Sequence, residues 1–457
     1  MVHCYSLNGY FIALDVFSGS VHLCDEESLE AVRLYESKSR EETKNKLLIK
    51  FQGRVNANVQ SVEEILDELD ALRDAGKLYT QDHFKLHADK LRQKSDIKAL
   101  CLHVAHACNL ACSYCFAGQG NYQGRAALMS LDVGKKALDY LVQNAGEHRH
   151  LEVDFFGGEP LLNWPVVKDL VRYGRELEKI FNKVFRFTLT TNGVLLDDEV
   201  TEFLNREMYN VVLSLDGRQA VHDRFRKDRL GAGSYSAVVP RFRRFVELRG
   251  DKSYYMRGTY THYNTDFFKD IIHMADLGFT QLSMEPVVVK PGDKSELTRE
   301  DLPVLFEQYE KLAAEMLKRY REGRGFDFYH YNIDLEHGPC VYKRLSGCGS
   351  GTEYMAVTPW GDLYPCHQFV GEEEFKLGDV FQGVTATALR EDFRHNHVYA
   401  HPECEDCWAK LYCAGGCAAN ACHAAGSIHG VYAYGCELFK KRIECAIMLK
   451  AALTEAS

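Results

Sequence analysis

Six β-like runs, at residues 100–105, 151–156, 185–190, 210–215, 254–260 and 281–288, alternate with amphipathic stretches long enough to be crossover helices. No other feature constrains the fold of residues 99–330 as tightly. Strands separated by helices run parallel, and barrel-like sheets of such units carry their chemistry at the strands' C-terminal ends. Past the first run stands Cys108-Asn-Leu-Ala-Cys112-Ser-Tyr114-Cys115-Phe116, a C-x3-C-x2-C spacing. A four-iron cluster normally takes four thiolates. Three leave one iron open to a small chelating molecule. A zinc knuckle, or three unrelated buried cysteines, would share this spacing.

The other run ends carry equally specific residues. Past the second lies Gly157-Gly158-Glu159-Pro160. Glycines let a backbone approach a ligand closely, and a carboxylate can accept bonds from an ammonium group. Past the third is Thr191-Asn192-Gly193. Past the fourth is Ser214-Leu-Asp216-Gly217, then His222-Asp223-Arg224-Phe225-Arg226. The last region is dense in cysteine. Cys348 precedes Gly361-Asp-Leu-Tyr-Pro-Cys366, followed by Cys404-x2-Cys407-x5-Cys413-x3-Cys417 and Cys436. Paired C-x2-C elements also bind zinc. Cys4, Cys24, Cys101, Cys422 and Cys445 read as buried apolar side chains.

Composition narrows the class. A chain of 457 residues is long for one core, so two or three domains are expected. A net charge of −10 disfavours a general nucleic-acid binder. No run of about 18 apolar residues and no secretion signal is present, which implies no membrane span and a cytoplasmic protein. Sixteen cysteines in such a chain suggest metal or cluster ligation rather than disulfides.

Residues 1–80 read as a hairpin (10–14 and 21–24, joined through Ser18-Gly19-Ser20) and three helices, near Asp25, from Arg40 and from Ser61. Ser61 and Glu64 are spaced as a capping box, and Gly76 ends the third helix. A hairpin with three helices looks like a winged helix-turn-helix. Nine Lys and Arg stand against fourteen Asp and Glu here. DNA recognition needs a basic face, whereas an unpaired strand edge can accept a peptide as an added strand. Residues 81–98 read as a charged linker helix and 438–457 as a terminal amphipathic helix.

The C-x3-C-x2-C, GGEP, TNG, SLDG and HDxxR elements together resemble the radical S-adenosylmethionine (SAM) family. The C-terminal cysteines resemble the SPASM domain over residues 331–437. The resemblance implies an α/β fold: a partial (β/α)6 barrel at 99–330, the winged helix-turn-helix-like recognition element at 1–80, and SPASM. It further implies SAM and three [4Fe–4S] clusters as cofactors. Cys108, Cys112 and Cys115 would hold the first cluster. SAM would meet Tyr114, Gly157, Gly158, Glu159 (amino group), Asn192, Ser214 (ribose) and Arg226 (carboxylate), with Arg257 as the second candidate for the carboxylate. One auxiliary cluster would take Cys404, Cys407, Cys413 and Cys436. The other would take Cys348, Cys366 and Cys417, completed by Cys340, by a substrate cysteine or by nothing.

The whole chain resembles maturases of SCIFF peptides. This implies thioether crosslinking of a ribosomally made, Cys-rich precursor peptide whose leader docks on residues 1–80, with an external electron donor such as flavodoxin or ferredoxin. Anaerobic sulfatase-maturing enzymes share both cluster domains. That family does not need residues 1–80, and it carries an aspartate where this chain has His367. An iron–sulfur redox sensor binding DNA is the non-enzymatic alternative.

Overall fold

The computed structural model describes residues 1–52, 58–88, 96–122, 124–290, 292–335, 345 and 347–455. The expected hairpin is present as β2 (Tyr10–Asp15) and β3 (Val21–Cys24), and a further strand, β1 (Val2–Leu7), pairs antiparallel with β2. The helices follow as α1 (Glu26–Tyr35), α2 (Arg40–Lys50) and α3 (Val59–Asp74). Alternation along β2 divides its side chains between two cores. Ala13 faces Leu29, Val32, Leu47, Leu66 and Leu69 of the three helices. Ile12 and Leu14 join the main core of the protein, where the Tyr5 hydroxyl donates to the Glu444 carbonyl of the C-terminal helix at 2.9 Å.

The capping box of α3 lies upstream of Ser61 and Glu64. The Asn58 side chain accepts from Ser61 N at 3.0 Å, and Ser61 Oγ accepts from Asn58 N at 3.2 Å. Asn caps as well as Ser does, so the helix begins two residues earlier than the serine suggests. The linker reading of 81–98 is met by a short 3-10 turn at Lys85–His87, and residues 89–95 lie outside the described residues.

All six runs of the middle region are strands: β4 (Ala99–His106), β6 (His150–Gly157), β7 (Val184–Thr191), β8 (Asn210–Ser214), β9 (Tyr254–Tyr260) and β10 (Gln281–Pro286). A two-residue strand, β5 (Ala127–Leu128), turns back antiparallel on β4. The six pair in sequence order and in parallel. β11 (Asp327–Phe328) extends the far edge next to β10. β4 is buried along its whole length, because it is not an edge. On its other side it pairs in parallel with β12 (Tyr354–Val357), which continues through β13 (Asp362–Tyr364), β14 (Gly378–Asp379) and β15 (Gly383–Val384). The C-terminal region therefore extends the same sheet. Its last helix, Ala433–Glu455, starts earlier than 438 and takes Cys436 into its first turns.

At the end of β6 two glycines let this sheet hold the loop that follows β4. Gly157 has φ of +122°, and a Cβ there would stand 2.3 Å from the Ala105 carbonyl oxygen. A Cβ on Gly158 would stand 2.1 Å from the Ala107 carbonyl oxygen. The glycines thus seat the cysteine loop itself, which adds to the ligand approach expected of them. Gly158→Ala should destabilise the protein by about 1–3 kcal/mol through overpacking, seen as a lower urea midpoint at unchanged m-value.

Candidate active site

The C-terminal ends of β4 and β6–β10 open on one cavity of about 500 Å³. It is lined by Cys108, Cys112, Cys115, Glu159, Asn192, Ser214 and Arg226, together with Arg257, Glu285, His367, Gln368, Cys417 and Asn420; Ser214 and Arg257 are paired neighbours on β8 and β9. Gly157, Gly158 and Tyr114 line it as well. Residues from six strand ends and from the last region therefore converge, which is what parallel strands with loops at one end allow.

Glu159 is completely buried. Its carboxylate accepts from Leu161 N at 3.1 Å, Thr191 Oγ1 at 2.8 Å and Asn192 N at 2.8 Å. A carboxylate has about four lone-pair sites, so acceptor capacity remains toward the cavity. Burial nonetheless raises Glu159 to about 7, against those three donors. Asn192 donates to Asn109 Oδ1 at 2.8 Å and to Cys108 Sγ at 3.7 Å. Ser214 ends β8 at the cavity.

Asp216, the third residue of the Ser-Leu-Asp-Gly element, organises the side chains around the cysteine loop. It is fully buried. It accepts from the Tyr114 hydroxyl at 2.5 Å, Arg226 Nε at 2.9 Å and Thr259 N at 3.0 Å. The Tyr114 hydroxyl and one edge of the Arg226 guanidinium are thereby engaged with protein. Arg226 sits beside Cys112, whose thiol burial raises to about 12. Arg257 stands 3.6 Å from Glu285. Burial would raise Glu285, but His330 and the guanidiniums of Arg442 and Arg257 bring it to about 2. His330 is itself kept neutral by burial, lowered to about 3, so the two arginines are what hold this carboxylate charged. Only the -S-L-D-G- spelling hinted at Asp216. Glu285 stands in a run that reads as plain strand.

Several thiols stand near one another. Burial raises Cys112, and Asp216, Cys108 and Cys115 add to it against Arg226. Burial raises Cys366 as well, with Cys417 and Cys348 adding to it. Cys413, raised to about 12 chiefly by burial, lies beside Cys436, Cys404 and Cys407. Cys340 lies outside the described residues. All described cysteines are unbridged, as ligation rather than disulfide bonding requires.

Donors also aim at the sulfurs. Leu110 N stands 3.4 Å from Cys108 Sγ, and Gln368 Nε2 stands 3.8 Å from Cys417 Sγ. Hydrogen bonds to sulfur suit cluster thiolates. Thiols with donors aimed at them have the chemistry that iron–sulfur ligation uses.

Two family models match the chain: the radical SAM superfamily over residues 102–277, and SPASM, an iron–sulfur cluster-binding domain, over residues 348–408. The chain carries a radical SAM domain and a SPASM domain. Among curated proteins, the cysteine-type anaerobic sulfatase-maturating enzyme of Clostridium perfringens (strain 13 / Type A) is 25% identical over 338 residues, 69% of this chain and 86% of that enzyme. Among solved structures, anSMEcpe with bound AdoMet and Kp18Cys peptide matches with a TM-score of 0.64 at 23% identity, covering 78% of this chain and 99% of that one. Streptococcus suis SuiB bound to precursor peptide SuiA matches with a TM-score of 0.51 at 16% identity, covering 92% and 95%. Radical SAM and SPASM domains bind SAM and iron–sulfur clusters, and no described helix is long and apolar enough to cross a membrane.

Within this radical SAM/SPASM chain, removing Asp216 leaves the buried Arg226 guanidinium without its carboxylate. Asp216→Ala should cost about 3–5 kcal/mol. Asp216→Ala/Arg226→Met should recover part of that loss in a denaturant titration, as expected of a coupled pair.

Proposed function

We propose that this chain is a radical SAM peptide maturase that joins a cysteine sulfur to a carbon of another residue in a ribosomally made, Cys-rich precursor peptide. The observation that carries this reading is the shared cavity. Cys108, Cys112 and Cys115 line the same cavity as Cys417, and Cys417 lies near Cys348 and Cys366. A substrate lying in this cavity can reach both. In this reading the first three cysteines hold the first [4Fe–4S] cluster; Cys404, Cys407, Cys413 and Cys436 hold one auxiliary cluster; and Cys348, Cys366 and Cys417 hold the other, with a position left for Cys340 or a substrate thiol. When bound, the first cluster and SAM supply one-electron chemistry that removes a substrate hydrogen.

The chain's own residues bind and orient. Glu159 accepts the SAM ammonium group, and the free edge of Arg226 meets its carboxylate. Asp216 fixes Arg226 and Tyr114 for that contact. Asn192 and Ser214 line the path of the ribose. Phe116 and Phe156 pack against the half-buried His367 ring at 5.6 Å and 5.2 Å. Arg257, 3.6 Å from Glu285, is the second candidate for that carboxylate.

Residues 1–80 take the precursor's leader as a winged helix-turn-helix-like element. Among the described residues β3 has a strand neighbour on one side only. Just past its end, a groove of about 310 Å³ lies between α1, α2 and α3, with Leu47, Phe51, Val62 and Ile65 as floor and Glu27, Glu64 and Glu68 on the rim. An added strand with apolar anchors and basic flanks suits it. DNA does not, because Glu63, Asp67 and Asp70 of α3 hold Arg40 at 2.7, 2.6 and 2.6 Å. A match covering 92% of this chain must reach into residues 1–80, which are more than a sixth of it, so SuiB supports a peptide-maturase fold for this region.

Formylglycine formation on a sulfatase is the second reading, favoured by the similarity to the sulfatase-maturating enzyme. Anaerobic mass spectrometry separates the two. With reductant, SAM and a Cys-rich precursor peptide, thioether formation should remove about two hydrogens per link and make cysteine resistant to alkylation. Deoxyadenosine release with every thiol still alkylatable would overturn the thioether reading. Conversion of a sulfatase-derived cysteine to an aldehyde would install the second.

Glu159 also sets a pH signature. Raised to about 7 in the free protein, it ionises as pH rises through that value, so SAM should bind more tightly at about pH 7.5 than at pH 6, below the point where an amino group near 8 loses its charge. Glu159→Gln should bind SAM at least about tenfold more weakly with a flat profile over this range, measured by equilibrium dialysis.

A further inference from the structure

The segment Arg224-Phe-Arg-Lys-Asp-Arg-Leu230 puts four cations and one acid into seven residues of a chain with net charge −10. It runs directly along the first cysteine loop. Ala111 N donates to the Lys227 carbonyl at 2.8 Å, Ser113 N to the Phe225 carbonyl at 3.2 Å, and Leu110 bridges to Asp228. Arg229 Nη2 donates to the carbonyl of Cys108 itself at 3.0 Å. Backbones paired in this way lie about 5 Å apart, so this loop is one strand's width from the first cluster's ligands.

The charges divide by side. Arg226 turns inward to Asp216. The segment's acid and the one just before it are bound to backbone: Asp223 accepts from Tyr235 N at 2.8 Å, and Asp228 accepts from Leu230 N and Ala232 N, both at 2.9 Å. Arg224, Lys227 and Arg229 are exposed. Among the described residues none of the three has an ion-pair partner; Arg224 lies over the Tyr263 ring at 3.7 Å. Beside them Leu230 is 96% exposed. The surface is therefore a ring of unneutralised cations around one apolar tip, on a protein whose overall charge repels anionic partners.

We propose that this loop is the docking surface for a small acidic one-electron carrier protein of the flavodoxin class. This rests on the radical SAM reading, since that chemistry requires an electron from outside. One electron leaves the anionic flavodoxin hydroquinone, which becomes the neutral semiquinone without exchanging a proton. The cluster site of Cys108, Cys112 and Cys115 gains that electron. Charge complementarity sets encounter rate and register, and Leu230 provides the apolar contact at the centre of a charged rim.

The test uses the reconstituted holoenzyme and the variant Arg224→Glu/Lys227→Glu. Binding of oxidised flavodoxin is measured by titration calorimetry at low salt, together with carbodiimide cross-linking mapped to Lys227. Deoxyadenosine release is measured with flavodoxin hydroquinone and, separately, with dithionite. The expected result is a cross-link at Lys227 in the wild type, affinity and flavodoxin-driven release reduced at least tenfold in the variant, and dithionite-driven release within twofold of wild type. Unchanged flavodoxin affinity, no flavodoxin binding by the wild type, or binding of a DNA oligonucleotide in place of flavodoxin at this salt would each overturn the proposal. A parallel fall in the dithionite rate would overturn it too, by giving the loop a structural role. Wild type that binds flavodoxin but releases no deoxyadenosine with dithionite would count against the radical SAM reading and leave the docking surface standing.

Discussion

The parallel pairing of β12 with β4 is the contact on which the rest of the architecture depends. It joins Tyr354–Val357 to Ala99–Leu102 in register. Without it, the cysteine loop after β4 and the cysteines of the last region would belong to separate bodies. With it, β4 becomes an interior strand, which explains its burial along its full length. A parallel strand buried on both faces reads as a continuous apolar run, as Leu100 through Ala105 does apart from His103. The cavity is then lined by residues of two regions because both share one sheet.

Steric closeness does the next piece of work. Gly157 and Gly158 bring the end of β6 within backbone contact of Ala105 and Ala107, so the loop carrying Cys108 is held from below by main chain. Asp216 holds it from the side through Tyr114 and Arg226. The buried carboxylates differ in what surrounds them. Glu159 has neutral donors alone and is raised by burial. Glu285 has guanidiniums on two sides and is lowered. One cavity thus offers a group that can respond to an arriving cation and a group whose charge is already fixed.

Local signals made the six strands, the hairpin and α2 legible in the sequence, because each rests on periodicity or turn chemistry within about ten residues. The spacing of the cysteines made a cluster-binding chain legible, while the division of ten of them into three sets came from the resemblance to the radical SAM and SPASM families. Long-range pairing was not legible. Nothing in Tyr354–Val357 announces β4 as its partner, and β1 is a half-buried strand whose value depends on the C-terminal helix that Tyr5 and His3 meet. Asp216 and Glu285 were missed for a related reason: an acidic residue at a strand end looks like a solvated one until its partners are known. The start of α3 was misjudged where two residue types cap equally well.

The acidic character of the chain gains meaning from this arrangement. Carboxylates of α3 neutralise Arg40 and Lys44, and the groove beside β3 keeps an acidic rim. The loop along the cysteines has its nearby carboxylates tied to backbone, and Arg224, Lys227 and Arg229 have no ion-pair partner among the described residues. Two surfaces of opposite sign therefore stand on one molecule, one on the N-terminal layer and one beside the first cysteine set. A basic peptide and an acidic protein would each be attracted to its own surface and repelled from the other's. Exposed charges farther apart than about 10 Å are largely screened from one another at ordinary ionic strength, so each surface acts on what lies close to it.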